Sequence, residues 1–195
     1  MAQELEFETK TLLELDEFHT LHTFFQTAGQ RAITQHNHYF ETPSFALKEA
    51  GSALRIREKN GKSTFTLKQP AQDGGLLETH QVITGNEQKQ AINENRLPDG
   101  EVLQHVTSLK VHSIDLQFIG TLTTERLEFP YGGGTVCLDK SSYLGQVDYE
   151  LEFEGTSMDH AEQTLTSILN QTNIQRKKTP NKVARFFAQK ANGRT

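Results

Sequence analysis

The stretch ELEFETK, residues 4–10, carries the clearest structural signal in this sequence. Read in steps of two, it sets Glu4, Glu6 and Glu8 on one side, followed by Lys10, with mostly apolar residues between them. Successive side chains of a β-strand point to opposite faces, so the alternation predicts a strand with one charged face. The glutamates would lie roughly 7 Å apart along that face and would repel one another. A strand of this kind is expected to face a cation.

Other segments repeat the alternation of charged or polar residues with apolar ones. They are LRIREK at 54–59, STFTLK at 63–68, LLETHQV at 76–82, TTERLEF at 123–129, TVCLDK at 135–140 and DYELEFE at 148–154. Either an open sheet leaves the charged faces in water, or the sheet curls so that they line an interior covered outside by helices. Acids dominate the first and last strands and Arg and Lys the middle ones, whereas a solvated face tends to mix signs. The pattern therefore favours a closed barrel of about eight strands.

Four segments have the periodicity or the capping signals of helices. Residues 13–27 carry apolar residues at helical spacing, and residues 86–95 form a short polar helix that Pro98 must end. Ser157 is expected to cap a third helix, and Thr179-Pro180 to begin the last one. With strands and helices interspersed and without a long linker, the sequence predicts an α+β fold and a single domain over residues 1–195.

Composition narrows the class of function. A formal net charge of −5 argues against a nucleic-acid-binding protein, and the single cysteine, Cys137, excludes internal disulfides and multi-cysteine zinc sites. There is no signal-like apolar run near the N-terminus and no segment of membrane-spanning length. We therefore expect a soluble cytoplasmic protein without a membrane partner; the oligomeric state is left open.

The separated acidic and basic strands suit one kind of ligand. Arginine recognises phosphate with two parallel hydrogen bonds, and lysine adds a point charge. Closely spaced carboxylates without thiolates or an organised histidine set suit a hard cation such as Mg²⁺ or Mn²⁺. A polyphosphate held by the basic strands and bridged by metal to the acidic strands would use both.

The same residues resemble a known family. Glu6-Phe-Glu8-Thr-Lys10 is similar to the ExExK signature of the CYTH superfamily, the triphosphate tunnel metalloenzymes. The resemblance continues, in the family's order, through the LRIR strand, TTERLEF, the late ELE strand and TPNKVARFF, and spans about residues 4–188. It implies a closed eight-stranded antiparallel tunnel with flanking helices and metal-dependent chemistry on triphosphates.

Individual roles follow from the resemblance by position. The implied metal ligands, for Mg²⁺ or Mn²⁺, are Glu6, Glu8, Asp139, Glu150 and Glu152. The implied phosphate-binding cations are Lys10, Arg55, Arg57, Lys68, Arg126 and Lys182. Glu78 is a further candidate partner for metal or water. Where many members have a second basic residue two positions before Arg126, this chain has Thr124, which would weaken the phosphate grip there.

The expected reaction is hydrolysis of a terminal phosphoryl group, in which the attacking water is held by a second metal or by a carboxylate such as Glu8 or Glu150. The chain has no tryptophan on which a thiamine ring could stack, so inorganic triphosphate is the favoured substrate. Two alternatives stay open at this point. A class IV-type adenylate cyclase would use the same metal and phosphate groups on ATP, and a non-catalytic sensor would only bind a nucleotide or polyphosphate.

Overall fold

The computed structural model describes residues 2–71 and 75–192, and within these ranges the chain forms a closed β-barrel. The strands are β1 (Ala2–Leu13), β2 (Ile33–Glu41), β3 (Ala53–Lys59), β4 (Lys62–Pro70), β5 (Leu76–Ile83), β6 (Gln117–Tyr131), β7 (Gly134–Tyr143) and β8 (Gln146–Gly155). They follow one another around the barrel in the order β1-β5-β4-β3-β2-β6-β7-β8. The predicted closed antiparallel barrel of eight strands is confirmed.

Helices flank the strands. They are α1 (Leu15–Phe24), α2 (Ala46–Glu49), α3 (Gly85–Glu94), α4 (Glu101–Ser108), α5 (Met158–Thr172) and α6 (Lys182–Asn192), with a 3-10 turn at Ser113–Asp115. None of the helices in the described ranges is both long and apolar enough to cross a membrane.

Of two helix caps predicted from the sequence, one is confirmed and one is not. Ser157 caps α5 as predicted, since its hydroxyl accepts the backbone N–H of His160 at 3.1 Å. The predicted cap of α6 at Thr179 is wrong. The side chain of Asn181 accepts the N–H of Ala184 at 2.8 Å, whereas the Thr179 hydroxyl accepts the N–H of Leu12 at 2.8 Å. Thr179 is thus used to hold the chain against β1.

Two helices, α2 and α4, were not predicted. The start of α2 depends on the buried carboxylate of Glu41, which accepts the N–H groups of Leu47 at 3.0 Å and Lys48 at 2.9 Å. That contact fixes a helix of four residues, too short to leave a periodic pattern. Helix α4 does bury Val102 and Val106, one turn apart, but its polar residues obscure this stripe.

By its internal contacts the chain divides into two compact units. The first consists of the described parts of residues 1–5 and 35–123, and its core includes Leu54, Ile56, Phe65 and Leu67. The second consists of the described parts of residues 6–34 and 124–195, and its core includes Val136, Leu138, Leu151, Phe153, Leu165 and Ile168. That residues 1–195 act as a single domain stays a prediction.

In the second unit, strand register gathers the charged residues on the face opposite the core. Asp139 pairs with Glu150 across β7 and β8, while Glu152 pairs with Cys137 on one side and with Lys10 on the other. The side chains are buried, with Asp139 0%, Glu150 1% and Glu152 3% exposed. Charged faces of an open sheet would be in water, so this burial is what the closed geometry predicts.

Tight turns set the register of neighbouring strands. The hairpins β3–β4, β6–β7 and β7–β8 turn at Asn60-Gly61, Gly132-Gly133 and Leu144-Gly145, and both residues of each pair have positive φ. Two-residue turns of this type match the twist of the flanking strands. At Leu144 the left-handed conformation, φ 46°, is held by a residue that has a Cβ atom.

Candidate functional site

Three buried carboxylates meet in the second unit. One oxygen from each of Asp139, Glu150 and Glu152 lies within 4.8 Å of the others, and we call this set the acidic cluster. Strand alternation places Glu150 and Glu152 on the same face of β8, and register places Asp139 beside them on β7. The secondary structure alone is therefore enough to bring the three together.

The ammonium group of Lys182, the first residue of α6, lies among these carboxylates. Its Nζ is 2.9 Å from Asp139 Oδ2, 2.5 Å from Glu150 Oε1 and 2.5 Å from Glu152 Oε1. Burial alone would lower the pKa of Lys182, but the three carboxylates outweigh it and hold this pKa well above its usual value. Lys182 is therefore a cation that contacts all three carboxylates of the acidic cluster.

Two more cations approach the acidic cluster from the strands. Arg126 on β6 donates from Nε to Asp139 Oδ1 and from Nη2 to Oδ2, both at 2.7 Å, and it also contacts Glu152. Lys10 on β1 lies 3.2 Å from Glu152 Oε1 and 2.7 Å from Glu8 Oε1. The predicted phosphate cations Lys10, Arg126 and Lys182 thus come together with three of the predicted metal ligands.

The carboxylates of this cluster differ in acidity. Burial opposes ionisation of Glu152, but Lys10, Lys182 and Arg126 outweigh it and hold its pKa well below the usual range. For Glu150 burial dominates, the neighbouring Glu152 adds to it, and the pKa rises to about 7 despite the opposing charge of Lys182. Burial of Asp139 is likewise outweighed by Lys182 and Arg126, and its pKa is lowered, so the cluster contains two ionised carboxylates and one, Glu150, that can exchange a proton near neutral pH.

The remaining predicted metal ligands lie outside the acidic cluster. Glu8 is held by Lys10, and Glu6 comes two residues earlier on the same strand face. Both add negative charge around Glu154, whose pKa is raised to about 7, chiefly by burial. Cys137 also faces this side, with its thiol 3.9 Å from Glu154 Oε1, and burial is the main cause that raises its pKa.

The composition of the acidic cluster fits a hard divalent cation. Three carboxylates supply oxygen ligands, which Mg²⁺ and Mn²⁺ prefer. All three carboxylates are at most 3% exposed, and Oε1 of Glu150 and Oε1 of Glu152 both lie 2.5 Å from the ammonium nitrogen of Lys182, so a position for a cation exists among them.

A second group of charges lies in the first unit, and we call Arg55, Arg57 and Lys68 the basic cluster. Glu78 on β5 is only 1% exposed and accepts contacts from Arg55 Nη2 at 3.3 Å and Lys68 Nζ at 3.1 Å. Arg57 donates from Nε to Asn37 Oδ1 at 3.0 Å. Burial would raise the pKa of Glu78, but the surrounding cations lower it to about 2. The carboxylate of Glu78 is thus the internal anion of the basic cluster.

Two charged residues of this site, Glu154 and Arg185, were not predicted from the sequence. Glu154 continues the alternation of β8 and was not selected, and Arg185 lies one helical turn after Lys182 and also reaches Glu150. Both could have been found by extending the patterns of residues already chosen. At position 124, where the family resemblance would predict a second basic residue, this chain has Thr124. Its side chain is buried and shares a 3.1 Å hydrogen bond with Ser141.

Comparisons with known proteins agree with this geometry. The family model described as CYTH domain matches residues 4–187. The chain is 40% identical over 190 residues to a Bacillus subtilis (strain 168) protein named "Putative triphosphatase YjbK", covering 97% of this chain and 98% of that one.

Solved structures show the same fold. A Bacillus halodurans protein described as a "putative adenylate cyclase" is 46% identical, with a TM-score of 0.91 over 96% of this chain and 100% of that one. A Hippeastrum protein, HpAC1, described as a "putative adenylyl cyclase" that reveals a dominant triphosphatase activity, is 22% identical with a TM-score of 0.77, covering 95% of each chain. At that identity the second structure bears on the fold alone.

Proposed function

This chain belongs to the CYTH domain family, and we propose that it is a divalent-metal-dependent hydrolase of triphosphate-containing compounds, with inorganic triphosphate as its substrate. One observation carries the proposal. In the second unit, three cations suited to phosphate form ion pairs with three carboxylates suited to metal, and four of these six residues are buried. A protein without a charged ligand has little reason to bury so many ionised groups together.

The metal-binding role falls first to the acidic cluster. Asp139, Glu150 and Glu152 would hold Mg²⁺ or Mn²⁺, with Glu6 and Glu8 as additional carboxylates from β1. When bound, the metal would neutralise charge on the phosphate oxygens and lower the pKa of the attacking water. The name of the Bacillus subtilis relative supports the assignment of a triphosphate substrate.

The cations bind and orient the phosphates. Lys10, Arg126 and Lys182 each form ion pairs with carboxylates, so phosphate oxygens would take the place of some of these contacts. In the first unit, Arg55, Arg57 and Lys68 surround a carboxylate, an arrangement that also suits an anion. Positively charged groups fixed around the transferred phosphoryl group stabilise the charge that develops in the transition state.

A proton must leave the attacking water as the phosphorus–oxygen bond forms. Glu150, whose pKa is raised to about 7 chiefly by burial, would accept that proton, and Glu8 is the second candidate. The bond between the terminal phosphorus and its bridging oxygen breaks, and the cations hold the departing pyrophosphate. No side-chain nucleophile is required.

Adenylate cyclase activity on ATP is the second candidate. It is favoured by the Bacillus halodurans relative, which is 46% identical and bears that description. In that reaction the ribose 3′-hydroxyl would replace water as the attacking group on the α-phosphorus, the bond from that phosphorus to the bridging oxygen would break, and pyrophosphate would leave. The cytoplasmic location and the lack of nucleic-acid and membrane partners stay predictions.

A substrate panel tests the proposal. Phosphate release would be measured from triphosphate, ATP, thiamine triphosphate and pyrophosphate with Mg²⁺ or Mn²⁺, with cyclic AMP assayed in parallel. We expect release mainly from triphosphate, its loss with chelator, and its loss in Glu152→Gln but not in the surface control Glu125→Gln. Cyclic AMP from ATP would favour the cyclase, and tight triphosphate binding without turnover would favour the sensor.

A further inference from the structure

Helix α6 brings a second cation to the edge of the acidic cluster. Arg185 lies one turn after Lys182, and its side chain is 8% exposed. Its Nε donates to Asp148 Oδ2 at 2.9 Å, and its Nη1 donates to the carbonyl oxygen of Pro180 at 2.7 Å. Its Nη2 lies 2.5 Å from Glu150 Oε2. All three guanidinium nitrogens therefore contact oxygen atoms.

The two oxygens of Glu150 have different partners. Oε1 faces the acidic cluster and lies 2.5 Å from Lys182 Nζ, whereas Oε2 faces Arg185. The contact with Arg185 is an ion pair without the angles of a hydrogen bond. Arg185 thus attracts one oxygen of Glu150 and leaves the other directed at the cluster.

The position of Arg185 is fixed by Asp148, which is itself held by a tyrosine. Asp148 accepts a hydrogen bond from the Tyr143 hydroxyl at 2.5 Å as well as the one from Arg185. The Tyr143 ring lies next to Phe186, the residue after Arg185, with ring centroids 6.1 Å apart. A chain of contacts therefore runs from a packed aromatic ring to the carboxylate of Glu150.

We propose that Arg185 is a positioning residue, which orients Glu150 so that a single oxygen is presented to the divalent cation of the acidic cluster. This inference rests on the proposed function, because it assumes that the cluster holds a metal. In metal sites, groups that orient a ligand typically contribute about 10- to 100-fold to metal affinity or activity. If Arg185 only docked α6, its loss would affect stability and leave the metal affinity unchanged.

The test compares Arg185→Gln with the parent protein in three measurements: Mn²⁺ binding without substrate, steady-state hydrolysis of triphosphate, and melting temperature. We expect Mn²⁺ affinity and kcat to fall by about 10- to 100-fold, with little change in KM for triphosphate. Asp148→Asn, which loosens the support of Arg185, should act in the same direction but more weakly. Arg176→Gln is the matched control, because Arg176 pairs with Glu162 and Thr9 instead.

The outcomes separate the two proposals. Arg185→Gln with a lower melting temperature but parental Mn²⁺ affinity and kcat would overturn positioning and leave a docking role. If that variant does not fold, Arg185→Lys takes its place, since it keeps the charge but cannot bridge Asp148 and Glu150 with a planar fork. A parent that binds Mn²⁺ but does not hydrolyse triphosphate would refute the hydrolase alone, because the binding measurement still decides on Arg185. A parent that does not bind Mn²⁺ would overturn positioning.

Discussion

Arg126 and Asp139 form a two-pronged ion pair, with both nitrogen–oxygen distances at 2.7 Å, in a part of the protein closed to solvent. One residue was predicted to bind phosphate and the other to bind metal. In this structure each is the other's partner. Two charges that are predicted to bind ligands are therefore also paired with each other in the fold, which makes their contribution to stability measurable.

Asp139→Asn should lower the free energy of unfolding by about 3–5 kcal/mol. It removes the negative partner of a buried ion pair and leaves the positive charge of Arg126 only partly neutralised. Urea unfolding measures this. The control is Glu125→Gln, which breaks the 3.1 Å pair with Lys140 on exposed surface and should cost about 0–1 kcal/mol. Equal losses in the two variants would mean that the buried pair is not energetically distinct.

Lys182→Ala should make Mn²⁺ a stronger stabiliser. Without the ammonium group, three carboxylates lose their shared cation, so the metal-free variant should melt below the parent. Added Mn²⁺ should then raise its melting temperature more than that of the parent, since no ammonium competes. Lys140→Ala serves as the surface control. Identical Mn²⁺ shifts in parent and variant would show that Lys182 does not occupy a cation position.

Glu154→Gln should stabilise the protein in a pH-dependent way. Burial raises the pKa of Glu154 from 4.5 to about 7, so between these values the folded protein keeps a proton that the unfolded chain has lost. The contribution of Glu154 to the free energy of unfolding therefore falls as the pH rises from 4.5 to about 7, and it is lowest above that range. We expect the gain in melting temperature to be several degrees at pH 8 and nearly absent at pH 4.5. A gain independent of pH would exclude this cause.

Triphosphate should stabilise the parent and not Arg57→Ala. At about 100 times the dissociation constant, a ligand adds about 2.7 kcal/mol, equivalent to a rise in melting temperature of about 5–10 °C for a chain of this size. Loss of the Arg57 guanidinium should remove most of that rise. Arg96→Ala, which changes an exposed arginine of the same unit, should retain it. A rise of the same size in all three proteins would exclude Arg57 as a phosphate ligand.

Much of this arrangement could be predicted because it depends on a strict period of two. Once β7 and β8 are assigned, Asp139, Glu150 and Glu152 must share a face, and the hairpin turn sets them side by side. The sorting of acids and bases between strands likewise predicted burial of the charged faces. These inferences need only local geometry.

Features that depend on contacts between distant segments could not be predicted in this way. The start of α2 requires the Glu41 carboxylate to reach two backbone N–H groups, and the start of α6 depends on Asn181 instead of the threonine and proline before it. The partnership of Lys182 with the acidic cluster follows from where α6 docks. Neither periodicity nor propensity specifies such a docking position.

The pairing of Lys10 with Glu152 joins residues that are 142 positions apart, and this separation affects the order in which the chain folds during translation. Strands β3, β4 and β5 pair with their immediate neighbours in sequence, so they can associate soon after they leave the ribosome. The acidic cluster lacks the one cation that contacts all three of its carboxylates until Lys182 has been synthesised, and β1 cannot pair with β8 before β8 has been made. We therefore expect the middle of the chain to fold first during translation, and the charged site to form last.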